Sequence, residues 1–459
     1  MRKFLCILLA AIAAMTLVAC NGNKKDSNSS NSGTPEPTSV NINLDKNTAA
    51  NISILIPGGN LNERTMINAL IEDFALMYPN VNITTNYLTV GSYDSDVKNL
   101  ARTGTLDDIV WSNSPDFYFL VNNNLVYNLN PYIEASEAAN VFNLKNDFHS
   151  EYFDMGSLNG NLYCVPRSAD SVVTFINTDI FNKAGVDMSV VKDGWSWDTF
   201  MDVCATIRTY FDNNGMRDRY VLDANLTSWL SVCYPMLRSF GADVIDDQGN
   251  IIIDSEGTRE CLALVKEMVD NRYIVDTQKA SGSSFEQGTS AMLFQSASVS
   301  HYADRVFLKD KVDLVSFPLI MDKNTPKIGC GIAGYCINKN TKYADVCWAF
   351  LNYMISYKGQ QKMALNGLNL ASIRKDLADT SVANWAISYP NINMSAYLYG
   401  SEYKIDPSFL AKLSPSMKTD FSTALTDMFS KACNGSKNGD LDKIVRTCVE
   451  DMEYALDEY

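Results

Sequence analysis

The chain has 459 residues, 46% of them apolar, enough to bury a sizeable core and too many for one compact core, so two globular units are predicted. Its formal charge is −15 and no stretch gathers Lys and Arg into a stripe, which excludes a protein that tracks nucleic-acid phosphates. With two histidines, His149 and His301, and no Cys-x-x-Cys pair, the usual zinc spacings are missing, and neither a metal nor another cofactor is expected.

The first segment reads as an export signal, residues 1–19. Arg2 and Lys3 precede an apolar run from Phe4 to Val18, shorter than the ~20 residues that span a bilayer. Leu17-Val18-Ala19-Cys20 resembles a bacterial lipobox. That resemblance implies an acylated Cys20 anchored at the extracytoplasmic face of the cell membrane. Residues 20–48 then read as a tether, because Asn, Ser, Lys, Gly, Thr and Pro cannot bury enough apolar surface to offset chain entropy. A coil of that length reaches ~30 Å, which suits a tethered receptor.

The body opens with Asn51–Ile56, an alternating and then apolar strand broken at Pro57-Gly58-Gly59-Asn60. Asn60 and Glu63 are spaced as a capping box. Met66, Ile67, Leu70, Ile71, Phe74 and Met77 then repeat at helical spacing until Pro79. Val81–Tyr87 and Asp108–Trp111 read as two further strands, giving a β-α-β-α-β opening. Ligands of such open sheets sit outside the carboxyl ends of the strands, which selects Asn60, Trp111 and Ser112. Val172–Ile176 reads as a buried strand, and Thr258–Val269, Thr341–Ile355 and the stretch from Leu441 to Leu456 as amphipathic helices.

Nine cysteines follow Cys20, and an odd number outside the cytoplasm cannot all pair, so mostly free buried thiols are predicted. Cys330 and Cys336 are the one close pair to test for a disulfide. Gly329-Cys-Gly-Ile-Ala-Gly334 fits a dinucleotide-binding spacing, but a probable strand follows it where that motif needs a helix. It reads as a turn that brings backbone, Gly334 included, close to a cleft.

Several segments in order are similar to the family 1 extracellular solute-binding proteins, the group that includes maltose-binding protein. They are Asp107-Asp-Ile-Val-Trp-Ser112, Gly160-Asn-Leu-Tyr-Cys-Val-Pro166, Phe175-Ile-Asn-Thr-Asp-Ile-Phe-Asn-Lys-Ala-Gly185, Trp197-Asp-Thr-Phe200, Phe285-Glu-Gln-Gly-Thr-Ser-Ala-Met292 and Tyr343-Ala-Asp-Val-Cys-Trp-Ala-Phe-Leu351. The resemblance implies an α/β, two-lobed periplasmic-binding-protein-like fold of type II, with ligand in the cleft between lobes. Lobe 1 would take 49–171 and 313–355, and lobe 2 would take 172–312 and 356–459. It further implies a non-enzymatic, monomeric protein that captures a sugar or oligosaccharide and delivers it to the transmembrane subunits of an ABC permease.

Maltose-type members keep a sugar-binding acid where Asp170 stands, and a carboxylate offers acceptors only, which suits a polyol that always has donors. Trp111, Trp229, Tyr302 and Tyr335 are the candidates for flat apolar faces against a sugar ring. Many sugar-binding members place a Trp about six residues after Ala291-Met292. This chain has Gln295-Ser-Ala-Ser298 there, so Ser296 and Ser298 would line the site with hydroxyls. Arg167 either pairs with Asp170 or faces an anionic substituent such as a uronate. A secreted glycosidase, with two carboxylates flanking a bond, and a receptor that feeds a sensor are the rival readings.

Overall fold

The computed structural model describes residues 40–458 apart from 60, 115, 227–228, 275–282, 322–324, 369 and 435–439. The export signal, Cys20, most of the tether and Asn60 lie outside the described residues. In chain order, the elements that matter to the site begin with β1 (Ala50–Pro57), α1 (Leu61–Met77), β2 (Val81–Leu88), α2 (Tyr93–Thr103), β3 (Ile109–Asn113) and α3 (Phe117–Asn122). Next come β4 (Val165–Ala169), β5 (Val173–Asn177), α4 (Trp197–Asn213), β6 (Leu222–Asp223), α5 (Leu230–Ser239), α6 (Glu256–Asp270), β7 (Met292–Gln295), β8 (Val312–Ser316) and β9 (Ile328–Gly329). The chain closes with β10 (Ile332–Ile337), α7 (Ala344–Ile355), α8 (Tyr357–Leu365), β11 (Lys404–Ile405), α9 (Pro415–Asn434) and α10 (Leu441–Glu458).

The β-α-β-α-β opening forms as its periodicity predicts. Strand β1 buries Ile52, Ile54, Leu55 and Ile56, and α1 turns Met66, Ile67, Leu70 and Phe74 onto the sheet at spacings of three and four. Gly104 ends α2 in the left-handed conformation, φ +68°, where its N–H reaches the last-turn carbonyls of Leu100 and Ala101. Strands β2 and β3 flank β1 in parallel, and β10 and β4 add antiparallel, giving the order β2-β1-β3-β10-β4. A second sheet, β8-β5-β7-β6, is the frame of the other lobe. Side-chain caps from Ser196 and Ser255, each accepting a backbone N–H three residues on, start α4 and α6. The paired helices α9 and α10 complete that lobe's core beside α6. Two α/β lobes result, as the family resemblance implied.

The chain changes lobe later than the boundaries at 312/313 and 355/356. Val312–Ser316 is antiparallel to Val173–Asn177, so it belongs to the second sheet, and the return to lobe 1 comes only before β10. Helix α8 packs against α1 and so belongs to lobe 1. At the junction β9 pairs in parallel with β11. Beside it, the buried Lys404 donates to the Tyr152 hydroxyl at 2.8 Å in lobe 1 and to the Tyr397 carbonyl at 2.7 Å in lobe 2.

The nine cysteines after Cys20 are all buried, and none of them is in a disulfide. Cys336 lies inside β10, and at ~3.3 Å per residue it stands well along the strand from Cys330, out of reach of the ~7 Å that a disulfide tolerates between Cα atoms. The glycine spacing that mimics a nucleotide motif serves close backbone approach: a Cβ on Gly329 would lie 1.6 Å from the Ser231 carbonyl oxygen, and one on Gly334 would lie 2.3 Å from that of Val165.

Candidate functional site

The register between β10 and β4 shifts at Ala333/Gly334, so that Ser168 faces Ala333, Pro166 faces Gly334, and Arg167 is left over as the bulged residue. A bulge re-aims the side chain it frees. Gly334 permits the close approach, and Arg167 turns onto the first turn of α1. There its Nε lies 3.1 Å from Glu63 Oε1 and its Nη2 2.9 Å from Glu63 Oε2, a two-pronged pair in which Arg167 is 6% and Glu63 3% exposed.

Other groups complete the network. The Tyr335 hydroxyl donates to Glu63 Oε1 at 2.5 Å, and Arg167 Nη1 donates to the Ser168 hydroxyl at 2.5 Å. The Ser168 hydroxyl in turn donates to Asp170 Oδ1 at 3.2 Å. Gln360 of α8 donates to the Arg167 carbonyl at 3.1 Å and is itself held by the Ser372 hydroxyl. The carboxylate partner of Arg167 is therefore Glu63, which replaces both the expected Arg167–Asp170 pair and a guanidinium left open for a uronate. Burial pushes the Asp170 carboxyl above the ordinary range, partly offset by the nearby Arg167 charge and the Ser168 hydrogen bond.

Asp170 opens onto a cavity of about 600 Å³ between the lobes. Lobe 1 contributes Gly59, Glu63, Met66 and Arg167, and lobe 2 faces them with Gln295, Ser296, Ser298 and His301. Three of the expected residues, Asp170, Ser296 and Ser298, thus meet here. A second interlobe cavity, about 490 Å³, holds Trp111 and Ser112 from the end of β3 and faces Lys418, Thr419, Ser422, Thr423 and Thr426 on α9. Tyr93 packs edge-on against the Trp111 ring at 5.3 Å, and its hydroxyl donates to the Trp111 carbonyl at 2.9 Å, so the indole is held from behind. Trp111 Nε1 is buried without a hydrogen-bond partner among the described residues, a donor that a ligand oxygen would satisfy.

The other expected residues lie elsewhere. Tyr302 is 3% exposed and packed against Phe175 at 4.8 Å and Phe285 at 5.7 Å, so its faces are taken by core rings. Tyr335 is fully buried in β10 and acts on Glu63, and Gly334 is an interior strand residue that admits the bulge. Trp229 precedes α5, half-buried against the lobe 2 core. Asn60 lies outside the described residues.

Sequence reasoning missed Glu63 as a site residue, having assigned it to a helix cap, and missed the hydroxyl row of α9. The row had a signal: Thr419, Ser422, Thr423 and Thr426 recur at helical spacing beside the buried stripe of Phe421, Leu425 and Met428. Asp406, next to β11, was also missed. It is 7% exposed, its Oδ2 has no partner among the described residues, and burial pushes its carboxyl up to about 6. Among the described residues no three His, Cys, Asp or Glu side chains gather into a metal site.

A family model described as bacterial extracellular solute-binding protein matches residues 69–392. The arabinooligosaccharide-binding protein of Halalkalibacterium halodurans is 22% identical over 285 residues, which is 59% of this chain and 61% of that protein. The match thus spans about three fifths of that relative's length. Among solved structures, an ABC substrate-binding protein from Listeria monocytogenes in complex with cycloalternan superposes with a TM-score of 0.71, covering 89% of this chain and 100% of that one at 16% identity. The GacH receptor of Streptomyces glaucescens, solved unliganded and with acarbose, gives 0.69 over 90% of this chain and 100% of its own at 16% identity. At these identities the likeness establishes the fold.

Two expected outcomes follow from the carboxyls. A carboxyl raised in the folded state binds its proton more tightly there than in the unfolded chain, so stability falls as pH rises from about 4 to about 6. For Asp406 the full cost above that window is of order 3 kcal/mol. Asp406→Asn should therefore melt at or above the wild-type temperature at pH 7.5, and the wild type should gain on it by pH 5; a difference that does not change with pH would refute the assignment. Asp170→Asn should weaken ligand binding by about 1.5–3 kcal/mol, the scale of a hydrogen bond to a charged group. Because that carboxyl is also raised, the apo melting temperature at pH 7.5 should hold or rise. Titration calorimetry and apo melting on the same variant check both, and unchanged affinity with a fallen melting temperature would make Asp170 structural.

Proposed function

The chain belongs to the bacterial extracellular solute-binding proteins, and from that premise we propose that it captures a sugar or oligosaccharide between its lobes and passes it to an ABC-type permease. The observation that carries this reading is Asp170 at the lobe crossing, an acceptor-only carboxylate beside the Ser296 and Ser298 hydroxyls. Hydroxyl-rich ligands bring donors for the carboxylate and can exchange hydrogen bonds with the serine hydroxyls. The second cavity adds a flat indole braced by Tyr93 and a row of Thr and Ser hydroxyls, the mixture of plane and polar edge that a sugar ring presents in return. The relatives named above carry arabinooligosaccharide, cycloalternan and acarbose in their descriptions, all polyhydroxylated.

The cavity chemistry supports binding over hydrolysis. A glycosidase needs one carboxyl free to give a proton and a second free to attack or activate water. Glu63, which shares the first cavity with Asp170, is instead held on both oxygens by Arg167 and on one by Tyr335. Delivery to a permease fits a receptor carried at the outer face of the membrane by a lipidated Cys20 and its tether, acting as a monomer.

Thermal melting of the soluble body, residues 40–459, against a panel of oligosaccharides tests the ligand class. A ligand that binds only the folded state stabilises it by about 2.7 kcal/mol at one hundred times its Kd. At least one saccharide should raise the melting temperature without being turned over, and a panel that leaves it unchanged would sink the carbohydrate reading. Cys20→Ala should move the protein from the membrane fraction to the medium or periplasm, and retention at wild-type levels would rule out the anchor.

A further inference from the structure

The first cavity has one guanidinium, Arg167, and one imidazole, His301, on its wall, and each already lies against a carboxylate, which in the case of His301 is shared with Arg305. Arg167 holds Glu63 through two prongs at 3.1 and 2.9 Å, and His301 Nε2 lies 3.0 Å from Glu286 Oε1. The remaining ionisable group on that wall is Asp170, an acid. In the second cavity Asp94 and Asp116 balance Lys98 and Lys418, whose ammonium groups lie over the rings of Phe119 at 5.4 Å and Tyr118 at 5.2 Å. Among the described residues, neither cavity presents a positive charge in excess of its own acids.

We infer that Glu63 sets the charge class of the ligand: by neutralising Arg167 inside the first cavity, it makes the protein select uncharged sugars over sugars that carry a carboxylate. The inference rests on the carbohydrate reading and deepens it. A uronate entering the cavity meets Asp170, and to gain a cationic partner it must displace Glu63 from a buried two-pronged pair that Tyr335 also braces. Either course is unfavourable, because like charges side by side in a desolvated site repel strongly and a displaced buried carboxylate is left unmatched. A neutral sugar meets no such penalty. Its hydroxyls donate to Asp170 and exchange hydrogen bonds with Ser296 and Ser298, while the Arg167–Glu63 pair stays intact. Glu63 thus acts on specificity through Arg167, and its spacing behind Asn60 in a helix-cap pattern conceals that role in the sequence.

Titration calorimetry with arabino-, xylo- and malto-oligosaccharides, against oligogalacturonates of the same lengths, tests the inference on the wild-type protein. A neutral ligand should bind at least ~30-fold more tightly than any oligogalacturonate, the ratio expected when an anion is placed beside an unmatched acid. Glu63→Gln leaves Arg167 without its counter-charge and should narrow that ratio at least ~10-fold by improving oligogalacturonate binding. The double variant Glu63→Gln, Arg167→Met removes both charges, so it should reject oligogalacturonates as the wild type does even if the single variant fails to fold. An oligogalacturonate that binds the wild type as tightly as the best neutral sugar overturns the inference, as does a folded Glu63→Gln with unaltered discrimination. If no saccharide of either kind binds, the carbohydrate reading itself falls and this inference with it.

Discussion

The pair between Glu63 and Arg167 is the interaction around which the site is arranged. Taking two such charges out of water costs several kcal/mol each, and their attraction offsets this only when geometry and additional hydrogen bonds are good. Here the geometry is two-pronged, and Tyr335 and Ser168 supply further bonds. The pair fixes the first turn of α1 against β4 and β10, and the chain of bonds continues through Ser168 to Asp170. Asp170 owes its place to a charge pair that it does not itself join. Removing one member would leave the other buried and unmatched, a loss of about 3–5 kcal/mol in comparable cases.

That arrangement sits where the chain passes between lobes. Strand β4 belongs to the first sheet and β5, three residues later, to the second. The return passes through β9 and the glycine turn, close enough to other backbone that a single Cβ on Gly329 would collide with Ser231. Lys404 spans the same junction, bonded to a tyrosine hydroxyl of one lobe and a main-chain carbonyl of the other. The connection between lobes is therefore close-packed and hydrogen-bonded, while the two cavities are lined by groups from both lobes. Clefts with this construction close by small rotations at a few residues, which brings two half-sites onto one ligand.

Much of the fold was legible because it depends on local period. Ile52, Ile54 and Ile56 alternate, and Met66 to Phe74 recur every three or four residues, whatever lies across from them. Pairing partners are a different matter. Nothing in Val312–Ser316 reveals that it lies antiparallel to Val173–Asn177, so the lobe boundary placed at 313 fell inside a strand. The site divides in the same way. Trp111 and Ser112 line a cavity at the end of β3, as strand polarity implies, while Asp170, Ser296 and Ser298, which line the other cavity, were legible only through the family resemblance. Tyr302 and Tyr335 looked like ring platforms because residue type is visible in sequence, whereas the neighbours that cover a ring are not. The bulge that turns Arg167 toward Glu63 was equally hidden, since it arises from a register shift between strands far apart in the chain. The site role of Glu63 was overlooked for an opposite reason: a local pattern offered it a sufficient job as a helix cap.

The nine buried thiols have a consequence for how the molecule lives and dies. In the native state each is sheltered, and burial holds the thiols of Cys233 and Cys330 near 12, so thiolate, the form that reacts, is scarce. The native fold therefore needs no oxidant to form and is indifferent to reductant once formed. The unfolded chain loses that shelter all at once. Exposed to air, nine thiols of ordinary acidity can pair in many wrong combinations, none of which the native packing accepts. Unfolding under oxidising conditions becomes a one-way step, and the lifetime of the protein outside the cell is governed by how rarely it opens and less by how much lower in free energy the folded state lies.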